Sequence, residues 1–245
     1  IDQQGWVSHD PMEIYRNTIT VTRDLLDSTG ADPESIVAMG ISNQRETALI
    51  WDRDTGEPVA DAVVWQCGRA QPICDRLESH AEAIRQRTGL RLSPYFPAAK
   101  WTWILENTPG LSGRSLCAGT MDSWLVFKLT GQHKTDYSNA SRTQLFHISA
   151  LTWDEELCHL FGIAPHMLPE VCMSDSCFGE TDMEGLLPGP VPVHGVLGDS
   201  HGALFGQGCL APGMGKATYG TGSSVMVNLG SRPVSPGQGI VTSLA

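Results

Sequence analysis

Asp199 stands in a run, Gly198-Asp199-Ser200-His201-Gly202, whose residue types suit two different chemistries. As Gly-x-Ser-x-Gly between a strand-like stretch (192–197) and a small-residue helix ending near Gly206, it matches the nucleophile elbow of α/β-hydrolases, with Ser200 as nucleophile. That fold brings its acid and its histidine after the serine. No Asp, Glu or His occurs from Gly202 to Ala245, so within this chain the triad lacks its partners. The second reading places Asp199 at the C-terminal end of a strand in an open α/β sheet, where ligands gather, as a carboxylate poised over a substrate hydroxyl. A third makes it a helix N-cap and nothing more. On this segment alone the three weigh equally.

Two further segments carry polar groups in suggestive settings. Tyr219-Gly220-Thr221-Gly222-Ser223-Ser224 is a Gly-rich turn whose exposed N–H groups and hydroxyls suit a phosphate, although a tight β-hairpin explains the same residues. It lacks the Lys-Ser/Thr ending of a P-loop and the spacing of a dinucleotide fingerprint. Arg45-Glu46 lies in a polar loop, where adjacent donor and acceptor groups match the vicinal hydroxyls of a polyol; a solvated surface pair is the bland alternative. Trp65 and Tyr95 offer apolar faces with a polar edge to a small sugar, or simply join the core.

These residues need elements to hold them. Asp10-Pro11 with Glu13 has the form of a helix start, Ile14, Thr18, Val21 and Leu25 recur at helical spacing, and Gly30 sits where a left-handed C-cap belongs. Runs 36–41 and 48–51 read as strands on either side of the Arg45-Glu46 loop, with a turn at 54–56. Helical patterns occupy 69–87 and 99–106. Then comes an extended-to-helical stretch at 116–129, a loop-rich region to Pro190, the 192–197 strand and the helix through Gly206. From Cys209 the composition turns to Gly, Ser, Thr and Pro with β-branched residues, which marks a domain boundary. Strands alternating with helices predict an α/β layered fold.

Composition narrows the function classes. With 16 basic against 27 acidic residues the net charge is −11, and no basic block offers a footprint for nucleic acid. Seven scattered cysteines without a Cys-x-x-Cys pair suit reduced thiols of a cytoplasmic protein. Neither a membrane span nor a signal peptide is expected. The chain starts at Ile1 and stops inside the strand-like 239–245, and both ends read as cuts through a longer protein.

Gly5-Trp-Val-Ser-His-Asp-Pro11, Gly40-Ile-Ser-Asn-Gln-Arg-Glu-Thr47, Val64-Trp-Gln-Cys67, Pro94-Tyr-Phe96 and Asp136-Tyr-Ser-Asn-Ala-Ser-Arg-Thr143 succeed one another in a telling order. Met167-Leu-Pro-Glu170, Gly198-Asp199 with Ala203-Leu-Phe-Gly206, and Tyr219-Gly-Thr-Gly222 continue it. Together they resemble the FGGY carbohydrate kinases, closest to their glycerol kinase group, over nearly the whole chain.

The resemblance implies an actin-like, ribonuclease-H-like α/β fold of two lobes closing on ATP and substrate, with residues 1–208 as an incomplete substrate lobe and 209–245 opening the nucleotide lobe. It implies that Asp199 is the general base beside Mg²⁺, that Arg45, Glu46, Trp65, Tyr95 and Ser200 line the polyol pocket, and that Gly220, Thr221 and Gly222 touch nucleotide phosphates. Phosphoryl transfer asks for these parts. Glycerol kinases usually carry Gln at the place of Ser200 and an aromatic residue at that of Ser224, so a larger polyol or a ketose, as in xylulokinases, is an alternative substrate, and Cys67-Gly68-Arg69 also departs from the two successive Arg common there. The family's N-terminal phosphate hairpin and adenosine half lie outside this sequence, and the chain alone is expected to be inactive as a kinase and prone to self-association through uncovered strand edges. A Ser200 hydrolase and a non-catalytic polyol-binding remnant are the competing readings.

Overall fold

The computed structural model describes residues 1–219, 223–231, 234 and 239–245. Asp10 caps the first long helix, Pro11–Thr29, by accepting from the Met12 N–H, and Gly30 closes it at φ 63°. The buried face of this helix is Tyr15 and Ile19, packed with Met183, Leu187 and Val191. Val21 and Leu25, expected on that face, are instead about 60% exposed, because the Tyr15 and Ile19 pair, also spaced i, i+4, meets the core in their place.

Two sheets organise the chain. One has four antiparallel strands in the order Ser8–His9, Ala62–Val63, Ala48–Asp52, Leu116–Thr120. The other runs Glu180–Thr181, Val191–Gly198, Met39–Asn43, and its last two strands are parallel. The two strands flanking the Arg45-Glu46 loop therefore belong to different sheets, and the loop bridges them. Trp51, Trp101 and Trp124 are fully buried, and helix Pro97–Asn107 packs its Ala98, Ala99, Trp101 and Ile104 into the largest apolar cluster. The helical pattern at 69–87 resolves into Gln71–Arg76, a 3₁₀ turn at Glu78–His80, and Ala81–Thr88. A hairpin, Gly215–Thr218 with Ser224–Val227, forms a separate two-stranded sheet after Cys209. Among the described residues no helix is long and apolar enough to cross a membrane.

Candidate active site

The parallel strands Met39–Asn43 and Val191–Gly198 end side by side, with Asn43 paired to Gly198. The segments leaving both strands therefore emerge at the same sheet edge, the place where open α/β sheets present ligand-binding groups. The Asp136–Thr143 motif pins these ends. Gly198 N–H donates to Ser138 Oγ at 2.8 Å. Asn43 and Asn139 exchange side-chain amide hydrogen bonds of 2.9 and 3.1 Å, and Asp136 Oδ1 accepts from Asn139 Nδ2 at 2.8 Å.

Beyond Asn43 the chain makes a tight turn centred on Glu46, where Thr47 N–H donates to the Arg45 carbonyl at 2.8 Å and Glu46 takes φ 62°. A left-handed backbone is uncommon outside glycine and costs about 1–3 kcal/mol, which the surroundings must offset. They do so at both ends of the residue. Arg142 Nε donates to Glu46 Oε1 at 2.6 Å, and Lys100 Nζ donates to the Glu46 carbonyl at 2.8 Å.

Arg45 is 8% exposed and reaches three side chains. Its Nη1 donates to His201 Nδ1 at 3.2 Å, its Nη2 lies 4.0 Å from Glu46 Oε1, and its Nε lies 3.5 Å from Asp199 Oδ1. The last contact is an ion-pair distance without hydrogen-bond alignment, so Nε remains a buried donor with no acceptor among the described residues. Burial lowers the Arg45 pKa from its ordinary value, while Glu46 opposes the shift. His201 Nδ1 faces a group that only donates, so it is the acceptor and Nε2–H bonds Ser243 Oγ at 3.0 Å. Burial, then Arg45, keep that imidazole well below its ordinary pKa.

Trp65 and Tyr95 meet edge to face with ring centroids 5.9 Å apart. Trp65 is 38% exposed and Tyr95 half-buried, so both keep accessible surface rather than vanish into the core. Burial raises the Tyr95 phenol pKa, and Glu46 adds to it. Arg45, Glu46, Tyr95 and Asp199 thus lie within electrostatic reach of one another, and Trp65 packs on Tyr95.

Asp199 is the first residue of helix Asp199–Gly206, whose N-cap is Gly198. The cap role therefore belongs to Gly198. Asp199 Oδ1 accepts from Ser200 N–H at 2.6 Å, and the side chain is 57% exposed. No hydrogen bond reaches Oδ2 among the described residues. Ser200 has ordinary helical backbone; the described non-glycine residues with positive φ are Glu46, Gln144, Leu151, Met183 and Glu184. The strained turn that a nucleophile elbow requires is absent at Ser200. Gly220, Thr221 and Gly222, proposed for nucleotide phosphates, lie outside the described residues. No group of three metal-ligating side chains occurs among the described residues. One exposed carboxylate with a free oxygen is nevertheless the donor that Mg²⁺ takes when water and phosphates supply the rest.

Residues 1–206 match the model of the FGGY family of carbohydrate kinases, N-terminal domain. The chain belongs to the FGGY family. It is 49% identical over 251 residues to the glycerol kinase of Thermus brockianus, covering 99% of this chain and 50% of that protein. Glycerol kinase 1 of Thermotoga maritima is 48% identical, over 94% of this chain and 48% of that protein. The chain spans about half the length of the curated relatives it matches. Among solved structures, Plasmodium falciparum glycerol kinase with ADP superposes with a TM-score of 0.92 at 33% identity, over 99% of this chain and 50% of that one. Xylulose kinase from Lactobacillus acidophilus shares the fold at a TM-score of 0.82 and 20% identity, over 92% of this chain and 46% of that one.

Sequence reasoning missed Arg142, Lys100 and His201, which hold Glu46 and Arg45. Arg142 sits in the Asp136–Thr143 motif, so its signal was present but without a role. Lys100 had a fainter one, a lone cation between Ala99 and Trp101 in an apolar helix. His201 was visible only as a member of the serine motif.

Proposed function

We propose that this chain is the polyol-binding part of an ATP-dependent FGGY kinase of the glycerol kinase type, in which Asp199 takes the proton of the hydroxyl that attacks the γ-phosphate. The observation that carries this is the buried Arg45 Nε, which lacks an acceptor 3.5 Å from Asp199 Oδ1. That nitrogen is sealed from solvent, so the guanidinium acts from behind, holding the carboxylate at the strand end while Oδ2 of the 57% exposed side chain stays open to take the proton of a substrate hydroxyl.

Arg45 and Glu46 then hold adjacent hydroxyls, one as donor and one as acceptor, and Arg142 fixes the Glu46 carboxylate through its 2.6 Å hydrogen bond. Trp65 and Tyr95 close the apolar side and exclude water. Ser200 leaves room beside Asp199, which favours a polyol somewhat larger than glycerol as the second reading. Gly220, Thr221 and Gly222 are assigned to the nucleotide phosphates on the family's pattern. Asp199 would hold Mg²⁺, which when bound neutralises phosphate charge. The change of composition at Cys209 and the separate hairpin behind it support a lobe boundary there.

Binding of glycerol and of pentitols to this chain, measured by calorimetry, tests the reading. Millimolar or tighter binding is expected for at least one of them, lost on Arg45→Ala. In the chain joined to the remaining half of a glycerol kinase, Asp199→Asn abolishes phosphoryl transfer and Ser200→Ala spares it. The reverse pattern, or phosphorylation by this chain alone, overturns the assignment.

A further inference from the structure

We propose that Lys100 is a positioning residue of the polyol pocket, its buried side chain tying the two walls that carry Glu46 and Tyr95 to helix Pro97–Asn107. The inference rests on the polyol reading of the cleft. Lys100 is fully buried within a helix that packs into the largest apolar cluster. A leucine or methionine would fill that space without the desolvation cost of an amino group, so what Lys100 contributes is hydrogen bonding. Its Nζ donates at 2.8 Å to the Glu46 carbonyl and at 2.6 Å to the Tyr95 carbonyl, and stands 5.9 Å from the Tyr95 ring centroid.

Both acceptors are backbone carbonyls of residues assigned above to the polyol pocket. The Glu46 peptide is the one set in a left-handed turn, where its orientation depends on such anchors. One side chain thus fixes the acceptor wall and the aromatic wall against a common rigid helix, as a supporting residue behind a binding site does.

The ionisable groups facing Nζ are Glu46 on the bridging loop, Cys67 after strand Ala62–Val63, and Cys74 on helix Gln71–Arg76. Burial brings Lys100 from its ordinary 10.5 down to about 7, and Glu46 opposes that fall. Ammonium and amine both reach two carbonyls, but only the ammonium makes charge-assisted bonds, roughly twice as strong. The walls are therefore held more firmly below neutrality, and polyol affinity falls as pH rises through it.

The test uses this chain with ¹³C-labelled carbonyls, recording the Glu46 and Tyr95 signals and glycerol affinity across the neutral range. In the wild type both carbonyls are expected to titrate together near pH 7, with affinity about fivefold weaker on the alkaline side. Lys100→Met removes the step from both carbonyls and gives one affinity across the range, about tenfold below the acid wild-type value and so about twofold below the alkaline one. Lys100→Arg, which stays charged, flattens the profile while keeping the affinity closer to the acid value.

Carbonyls that do not titrate together, or Lys100→Met with wild-type affinity, overturn the proposal. If Lys100→Met does not fold, the wild-type titration and Lys100→Arg decide it. A wild type that binds no polyol removes the polyol reading and the pocket role with it. Polyol binding with no pH step, by contrast, removes Lys100 alone.

Discussion

Arg45 crosses the strand end directly over Gly198, where a Cβ would lie 2.3 Å from Arg45 Cδ and 2.7 Å from Cγ. Gly198 has ordinary extended dihedrals, φ −59° and ψ 139°, so glycine is needed here for space and not for conformation. The parallel pairing that sets Asp199 beside Arg45 depends on this close approach.

Gly198→Ala therefore moves Arg45 out of the cleft. The overpacked site should cost about 1–3 kcal/mol of stability, read from urea unfolding, and polyol binding should be lost even where the variant remains folded. Retained binding would show that Arg45 does not define the pocket.

The Glu46 turn separates backbone strain from side-chain chemistry. Glu46→Gly and Glu46→Ala both remove the carboxylate that pairs with Arg142 at 2.6 Å, and both should abolish polyol binding. Only glycine accepts φ 62° without cost, so the glycine variant should be the more stable of the two by about 1 kcal/mol. Equal stabilities in denaturant titrations would mean that the turn relaxes once the carboxylate is gone.

The legibility of each residue in the sequence depended on the kind of signal it left. Asp199, Arg45 and Glu46 were legible because strand ends and an interposed polar loop are local patterns, and the structure brings them together. The same locality left three readings of Asp199 open. The backbone of Ser200, which is helical, and the N-cap, which is Gly198, disfavour two of them. Lys100 and Arg142 act through partners 54 and 96 residues away, and spacing along the chain holds no trace of such contacts. Helix Pro11–Thr29 was expected from its caps, yet its buried face was misread, since Val21 and Leu25 fit the same period as Tyr15 and Ile19. Only the packing of Met183 and Leu187 chooses between them.

A pH effect independent of the cleft comes from Asp122. Its carboxyl is fully buried, accepts from Thr120 Oγ1 at 2.5 Å and Thr135 Oγ1 at 2.6 Å, and is raised from 3.8 to about 6 by burial and then by Asp136. Because the folded value is the higher one, the folded state keeps a proton that the unfolded state has released between these values. Stability from this group is thus present at low pH and is lost progressively as pH rises from the unfolded value through about 6. Asp122→Asn has no such proton. Relative to wild type it should gain up to about 3 kcal/mol between acid and neutral pH. Urea midpoints of both proteins across that window give the difference, and a gap that does not change with pH would place the proton elsewhere.

Ser200 bears on which polyol the cleft accepts. It sits one residue past Asp199 on the first helical turn, with its N–H committed to Asp199 Oδ1 at 2.6 Å. A glutamine there would project an amide into the space beside the carboxylate and supply one more hydrogen bond to a small polyol while excluding a longer one. A hydrogen bond made to one ligand and a clash against another typically separate them by about 1–3 kcal/mol. Ser200→Gln should therefore tighten glycerol and weaken pentitols, shifting their affinity ratio about tenfold or more by calorimetry. An unchanged ratio would show that Ser200 does not select the polyol.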